Sequence, residues 1–157
     1  MRIVLDTNIL CSALLTPRGH AHQLYGAWRE RTFELVTSEE QLDEFRRVTR
    51  YPKVRQFIDP SAAGTMHNEL RRLAILLSYL PAVETSADPA DDFLLAMVKA
   101  GQADFLVTGD KHGLLSMATF ETARIVTPRQ MLANLGELRR ASGPSVLEPK
   151  RNRMPGG

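Results

Sequence analysis

Short apolar runs alternate with stretches of helical periodicity along almost the whole chain, and that alternation leaves few folds open. Residues 2–5, 33–37, 103–108 and 124–126 read as strands, with 80–84 as a further short one. Between them, apolar side chains recur at three- and four-residue steps: Leu24, Ala27 and Trp28, then Leu42, Phe45 and Val48. Met66, Leu70, Leu73, Ala74 and Leu77 extend the pattern over residues 60–78, and Phe93, Leu94, Ala96, Met97 and Ala100 repeat it. Ser38 to Gln41 has the spacing of a capping box, and Thr127 to Gln130 repeats it before the last helix. Asp88-Pro89 reads as a helix start, and Gly101 as its close. Strands that each pass into a helix imply an α/β fold with a mainly parallel central sheet, here of four to five strands, covered on both faces.

The 157 residues suit one domain, with 43% hydrophobic and 24% charged residues, which excludes fibrous and wholly disordered classes. No run is long and apolar enough to span a bilayer, and Asp6 interrupts the N-terminus too early for a secretory signal. Cys11 is the single cysteine, so no internal disulfide forms and a cytoplasmic setting is expected. The net charge of +2 is unevenly spread: five bases beyond residue 138 against Glu148 give +4 there and leave −2 for the remainder. The division is therefore a domain over residues 1–138 and a flexible basic tail over 139–157, rich in Pro and Gly and poor in large apolar groups.

In an open parallel sheet, ligands gather beyond the carboxyl ends of the strands. Asp6 directly follows the first strand, in Leu5-Asp6-Thr7-Asn8, and Asp110 follows another, in Thr108-Gly109-Asp110. Asp92 opens the helix before that strand, with Asp91 beside it, and Glu44 lies on the helix that Ser38 caps. Singly, each has an ordinary reading as a cap, a turn residue or a solvated helix residue. Together they are four carboxylates converging on one rim, and like charges so placed need a cation. Oxygen ligands of this kind suit Mg²⁺ or Mn²⁺. Zinc is excluded because His20, His22, His67 and His112 form no credible set with Cys11 or one another. A metal–carboxylate rim suits phosphodiester hydrolysis without a covalent nucleophile. The chain has no P-loop, no G-x-G-x-x-G after the first strand and no nucleophile elbow.

Four segments in this order resemble the PIN-domain family of ribonucleases, and within it the bacterial toxins of toxin–antitoxin pairs of the VapC type. They are Ile3-Val4-Leu5-Asp6-Thr7-Asn8; Ser38 leading to Glu44-Phe45; Asp88-Pro89-Ala90-Asp91-Asp92-Phe93-Leu94; and Ala103-Asp104-Phe105-Leu106-Val107-Thr108-Gly109-Asp110-Lys111. The resemblance covers roughly residues 1–135. It implies a three-layer α/β/α fold, Mg²⁺ or Mn²⁺ as cofactor, homodimers, an antitoxin partner and single-stranded or structured RNA as substrate. The family's acidic quartet falls on Asp6, Glu44, Asp92 and Asp110, as catalytic and metal-binding residues, with Glu44 a ligand or the holder of a bound water. Asp91 is the alternative to Asp92. Thr7, Asn8, Thr108 and Asp91 match supporting positions. Val98 departs from the smaller residue usual there, a change expected to alter packing alone.

Arg46, Arg47, Arg50, Lys53 and Arg55 put five cations into ten residues beyond Glu44, a stripe suited to RNA phosphates or simply to a solvated helix face. Lys111, next to Asp110, is a further candidate for steering a phosphate. Other readings keep the site but drop the antitoxin, giving an RNA-processing nuclease, or drop catalysis, giving an RNA- or protein-binding PIN-like domain. A phosphoacceptor signalling domain fits poorly, because Asp6 stands alone after the first strand and the last strand ends in Thr127-Pro128.

Overall fold

The computed structural model describes residues 1–86, 88–110 and 112–142. The first strand, β1 (Arg2–Leu5), leads through Asp6 into α1 (Thr7–Leu15) and α2 (His20–Arg29). β2 (Glu34–Ser38) is followed by α3 (Glu39–Thr49), a short α4 (Pro52–Arg55) and α5 (Pro60–Leu73), and then by β3 (Ile75–Leu77). A 3₁₀ turn (Pro89–Asp91) precedes α6 (Asp92–Gly101), β4 (Phe105–Val107), α7 (Leu114–Met117), β5 (Thr119–Phe120), β6 (Ala123–Val126) and α8 (Pro128–Ser142). Six strands form one sheet in the order β3-β2-β1-β4-β6-β5, all parallel except β5, which runs antiparallel to β6. This is the expected α/β/α sandwich, with six strands where four to five were read. Two of the six, β3 and β5, were not read as strands, and β5 is two residues long and carries no periodicity to find.

Alternate residues of each strand enter different cores, which is why the strands read as continuous apolar runs. Ile3, Leu5, Leu35 and Val107 pack against α1, α2, α3, α5 and α8, around Leu24, Trp28, Phe45 and Met131. Val4, Val36, Leu106 and Ile125 face the other way, onto Leu94, Leu95, Met97 and Val98 of α6 and Leu114 of α7. Val98 is fully buried in that second core.

Several boundaries differ from those read in the sequence. Residues 73–77 are apolar throughout, compatible with helix or strand, and pairing with β2 decides for strand: the chain leaves α5 at Ala74 and Ile75 to Leu77 add to the sheet edge. Residues 80–84 form no strand. α8 runs past the domain boundary expected at 138 and takes Arg139 and Arg140 into the helix. Residues 143–157 of the expected tail lie outside the described residues, as does Lys111.

Gly101 plays a different part from the one expected. The residue that leaves α6 in the left-handed conformation is Gln102, at φ 51°. Gly101 instead lets α6 touch β2: a Cβ there would stand 2.9 Å and 3.2 Å from the two methyls of Val36, itself wholly buried in the sheet. Neither backbone has room to retreat, so Gly101→Ala is expected to destabilise the fold by about 1–3 kcal/mol. A urea midpoint lowered at unchanged slope is the readout; an unchanged midpoint would mean that the two elements can part.

Candidate active site

β2 and β3 lie on one side of β1, and β4, β6 and β5 on the other, so strand order reverses between β1 and β4. The crevice beyond the carboxyl ends of these two strands is where this class of sheet admits ligands. Asp6 and Asp110 both stand there, one just after β1 and the other just after β4.

Asp6 is 8% exposed and fixed on every side. Its N–H donates to the Val107 carbonyl at 2.9 Å, tying the end of β1 to β4. Its carboxylate caps α1, accepting from the Asn8 N–H at 3.1 Å, and accepts from the Thr108 hydroxyl at 2.8 Å. Burial pushes its carboxyl above the usual range, the Asn8 and Thr108 hydrogen bonds pull it back, and the charge of Asp110 pushes it up again. Thr108 also accepts from the Asp110 N–H at 3.2 Å, so one buried hydroxyl braces two acids. Asn8 supports Asp6 through its backbone. Thr7 reaches neither acid; its hydroxyl meets the Gln41 amide at 3.5 Å.

Asp110 is exposed, and its Oδ1 accepts from the N–H groups of His112, at 3.3 Å, and Gly113, at 3.1 Å. A Cβ on residue 113 would overlap the Asp110 carboxylate, so a larger residue there would push the acid out of this position. An Asp with Gly three residues on is a turn signature, and that spacing was the available clue. The imidazole of His112 makes none of these contacts; its backbone does.

Glu44 is half-buried on α3 and makes no hydrogen bond or ion pair with another described residue. Its charge nonetheless acts on Cys11 of α1 and on Asp91. The Cys11 thiol, buried and facing both Glu44 and Asp6, is pushed up to about 12 by burial first and then by those charges, so it is no nucleophile.

The placement of α3 depends on Gln41. Ser38 caps the helix as expected, accepting from the Gln41 N–H at 3.1 Å. The Gln41 side chain does not close the capping box. It accepts from the Thr37 hydroxyl at 2.7 Å and donates to the Leu5 carbonyl at 2.7 Å, binding α3 to the last residue of β1. At the other site of the same spacing the box does close: Gln130 N–H donates to Thr127 Oγ1 at 3.1 Å, and Thr127 N–H to Gln130 Oε1 at 2.9 Å. Spacing alone gives no means of telling the two apart.

The fourth acid is where the sequence reading needs correcting. Asp92, assigned to the rim, is turned away from it: its Oδ1 accepts from the Ser86 N–H at 2.9 Å and the Ser86 hydroxyl at 2.6 Å. Those hydrogen bonds hold its carboxyl below the usual range. Asp91 faces the other acids instead. It ends the 3₁₀ turn that Asp88 caps, and its carboxyl is pushed up to about 6, by burial first and then by the charges of Asp6, Asp88, Asp110 and Glu44.

The acids brought together are thus Asp6, Glu44, Asp91 and Asp110, and none of them pairs with a cation among the described residues. Four mutually repelling oxygen donors fit a hard divalent ion. Among the described residues no three are gathered closely enough to hold an ion as they stand.

Of the proposed RNA-contacting cations, Arg46 and Arg50 line a cleft on the far side of α3 together with Arg55. Arg47 borders a neighbouring hollow, and Lys53 is exposed on α4. No described helix is long and apolar enough to cross a membrane.

The family model described as PIN domain matches residues 2–112. Among solved structures, the chain is similar to the crystal structure of FitAcB from Neisseria gonorrhoeae, with 15% sequence identity and a TM-score of 0.43, over 81% of this chain and 98% of that one. No curated protein matches the chain at a significant level.

Proposed function

Because the chain belongs to the PIN-domain family, matched over residues 2–112, we propose that it is a divalent-metal-dependent endoribonuclease, with Asp6, Asp91, Asp110 and Glu44 as its acidic site. The observation that carries this reading is the electrostatic coupling of those four carboxylates at the β1/β4 crevice with no compensating cation among the described residues. Mg²⁺ or Mn²⁺, when bound, supplies a lowered pKa for water and charge compensation at the phosphate. Asp6 and Asp110 would be the rigid ligands, because hydrogen bonds from Asn8, Thr108, His112 and Gly113 fix their oxygens. Asp91 completes the set from α6's entrance. Glu44, with no hydrogen-bond partner among the described residues to give up, would accept a proton from the attacking water.

Incubating the purified protein with a labelled RNA pool tests the reading. Cleavage with Mn²⁺ that EDTA abolishes supports it, and intact RNA under every metal condition overturns it. The motif set resembles the toxin branch, so we assign the chain to a toxin–antitoxin pair, acting as a homodimer on single-stranded or structured RNA. Growth arrest on expression, relieved by a neighbouring small protein, separates this from an RNA-processing nuclease with the same site.

The Asp91 shift fixes a pH dependence. Its folded pKa lies above the unfolded value of 3.8, so its favourable contribution is complete below that value and is lost as pH rises through about 6. In chelator, Asp91→Asn is therefore expected to equal wild type near pH 4 and to exceed it at pH 7, by about 1 kcal/mol once solvent screening is allowed for. Thermal unfolding of both proteins across that range is the measurement. Mn²⁺ should close the gap at pH 7 by stabilising wild type alone.

A further inference from the structure

The acidic rim accounts for one side of α3 only. On the other, α3, α4 and α5 enclose a cleft of about 620 Å³ lined by three cations, Arg46 of α3, Arg50 at its C-terminal cap and Arg55 at the end of α4, with His67 of α5 beside them. No carboxylate lines it, and neither Arg46, Arg50 nor Arg55 forms an ion pair among the described residues. His67 adds a hydrogen-bonding ring rather than a charge. It is buried, its Nε2 lies 3.4 Å from Arg46 Nη2, and burial, Arg46 and Arg71 hold it below its ordinary pKa, against the opposing charges of Asp43 and Glu39. Three unneutralised guanidinium groups facing one hollow are an anion site.

The rings beside the cleft narrow the anion down. Tyr51, which bounds an adjoining hollow with Asp43, Arg46, Arg47 and Arg50, so that three cations there stand against one acid, is 47% exposed. Phe57, two residues beyond Arg55, is 69% exposed. Guanidinium groups with an exposed ring bordering them at Tyr51, and another two residues along the chain at Phe57, are what a single strand uses, phosphates on the cations and bases on the rings. An acidic peptide gains nothing from these rings, whose negative faces repel carboxylates.

We propose that the α3–α4–α5 cleft is a second RNA contact, apart from the acidic rim, that takes backbone phosphates of single-stranded RNA on Arg46, Arg50 and Arg55 and stacks a base on Phe57 or Tyr51. The proposal rests on RNA being the substrate of the acidic site. Arg46 lies about 200° round α3 from Glu44. A strand cut at the rim therefore crosses α3 and meets the cleft nucleotides away from the scissile bond.

Binding measured without cleavage tests it. Fluorescence anisotropy follows the full chain in EDTA with labelled single-stranded RNA of roughly ten nucleotides. The Arg50→Gln/Arg55→Gln double variant should bind about tenfold more weakly and lose about 1.4 units of salt slope. Phe57→Ala should bind several-fold more weakly with the slope unchanged. These side chains are exposed, so circular dichroism should match wild type. Wild-type binding that is absent, or unchanged in both variants, overturns the cleft contact even where RNA is cleaved. Displacement of the RNA by polyglutamate, with Phe57→Ala behaving as wild type, overturns it in favour of an acidic peptide. Cleft-dependent binding without cleavage under any metal sinks the nuclease reading and leaves the cleft standing.

Discussion

Asp91→Asn is expected to lower RNA cleavage by about a thousandfold, whereas Asp92→Asn lowers it by no more than about tenfold. The two residues are neighbours of the same type, and only their surroundings differ. Asp91 lies in the field of Asp6, Asp110 and Glu44, and its carboxyl is pushed up to about 6. Asp92 spends its Oδ1 on two hydrogen bonds from Ser86. An asparagine at 92 keeps an oxygen for Ser86, so the loop before the 3₁₀ turn stays in place and the rim loses no charge. An asparagine at 91 removes an anion from the rim while adding no bulk. Rates for both variants under saturating Mn²⁺ decide the assignment. Loss of activity in the Asp92 variant, with the Asp91 variant intact, would restore the assignment drawn from the sequence and discard the one drawn from geometry.

Asp6→Asn is expected to abolish cleavage while leaving the fold intact in chelator. The amide fits the same cradle. Its oxygen accepts from the Asn8 N–H, and its NH₂ faces Thr108, whose hydroxyl turns to accept in place of donating. The charge itself is no help to the metal-free fold, because burial holds the Asp6 pKa above its usual value. Removing that charge therefore lowers no melting temperature measured in EDTA. What disappears is the stabilisation by Mn²⁺, together with the activity. A variant that melts well below wild type in EDTA would show that Asp6 is chiefly a structural cap of α1. Full activity in that variant would remove Asp6 from the site.

Much of this was legible in the sequence, for definite reasons. β1 and β4 are apolar on both faces because both faces are buried, so their ends, and the acids Asp6 and Asp110 that follow them, were readable without coordinates. Glu44 was readable because Ser38 marks where its helix starts. The choice between Asp91 and Asp92 was not, since the Ser86 hydrogen bonds that occupy Asp92 and the acids that surround Asp91 leave no mark in the local sequence. Gln41 was hidden for a similar reason: its partner, the Leu5 carbonyl, is distant in sequence and leaves no local mark. Ile75 to Leu77 were misread as helix because a continuous apolar run has no period to choose between helix and edge strand. The basic stripe was visible as composition, but its division between α3, α4 and a cleft closed by α5 needed the packing of three helices.

Calorimetric titration with Mn²⁺ near pH 6 measures the shared cation site without involving RNA. Wild type should bind Mn²⁺ and release protons, because Asp91 is partly protonated there and must ionise to bind. Asp6→Asn and Asp91→Asn should each lose most of that binding, and Asp92→Asn should keep it. Mn²⁺ binding that is indifferent to Asp6 and Asp91, or absent from wild type, would contradict the account.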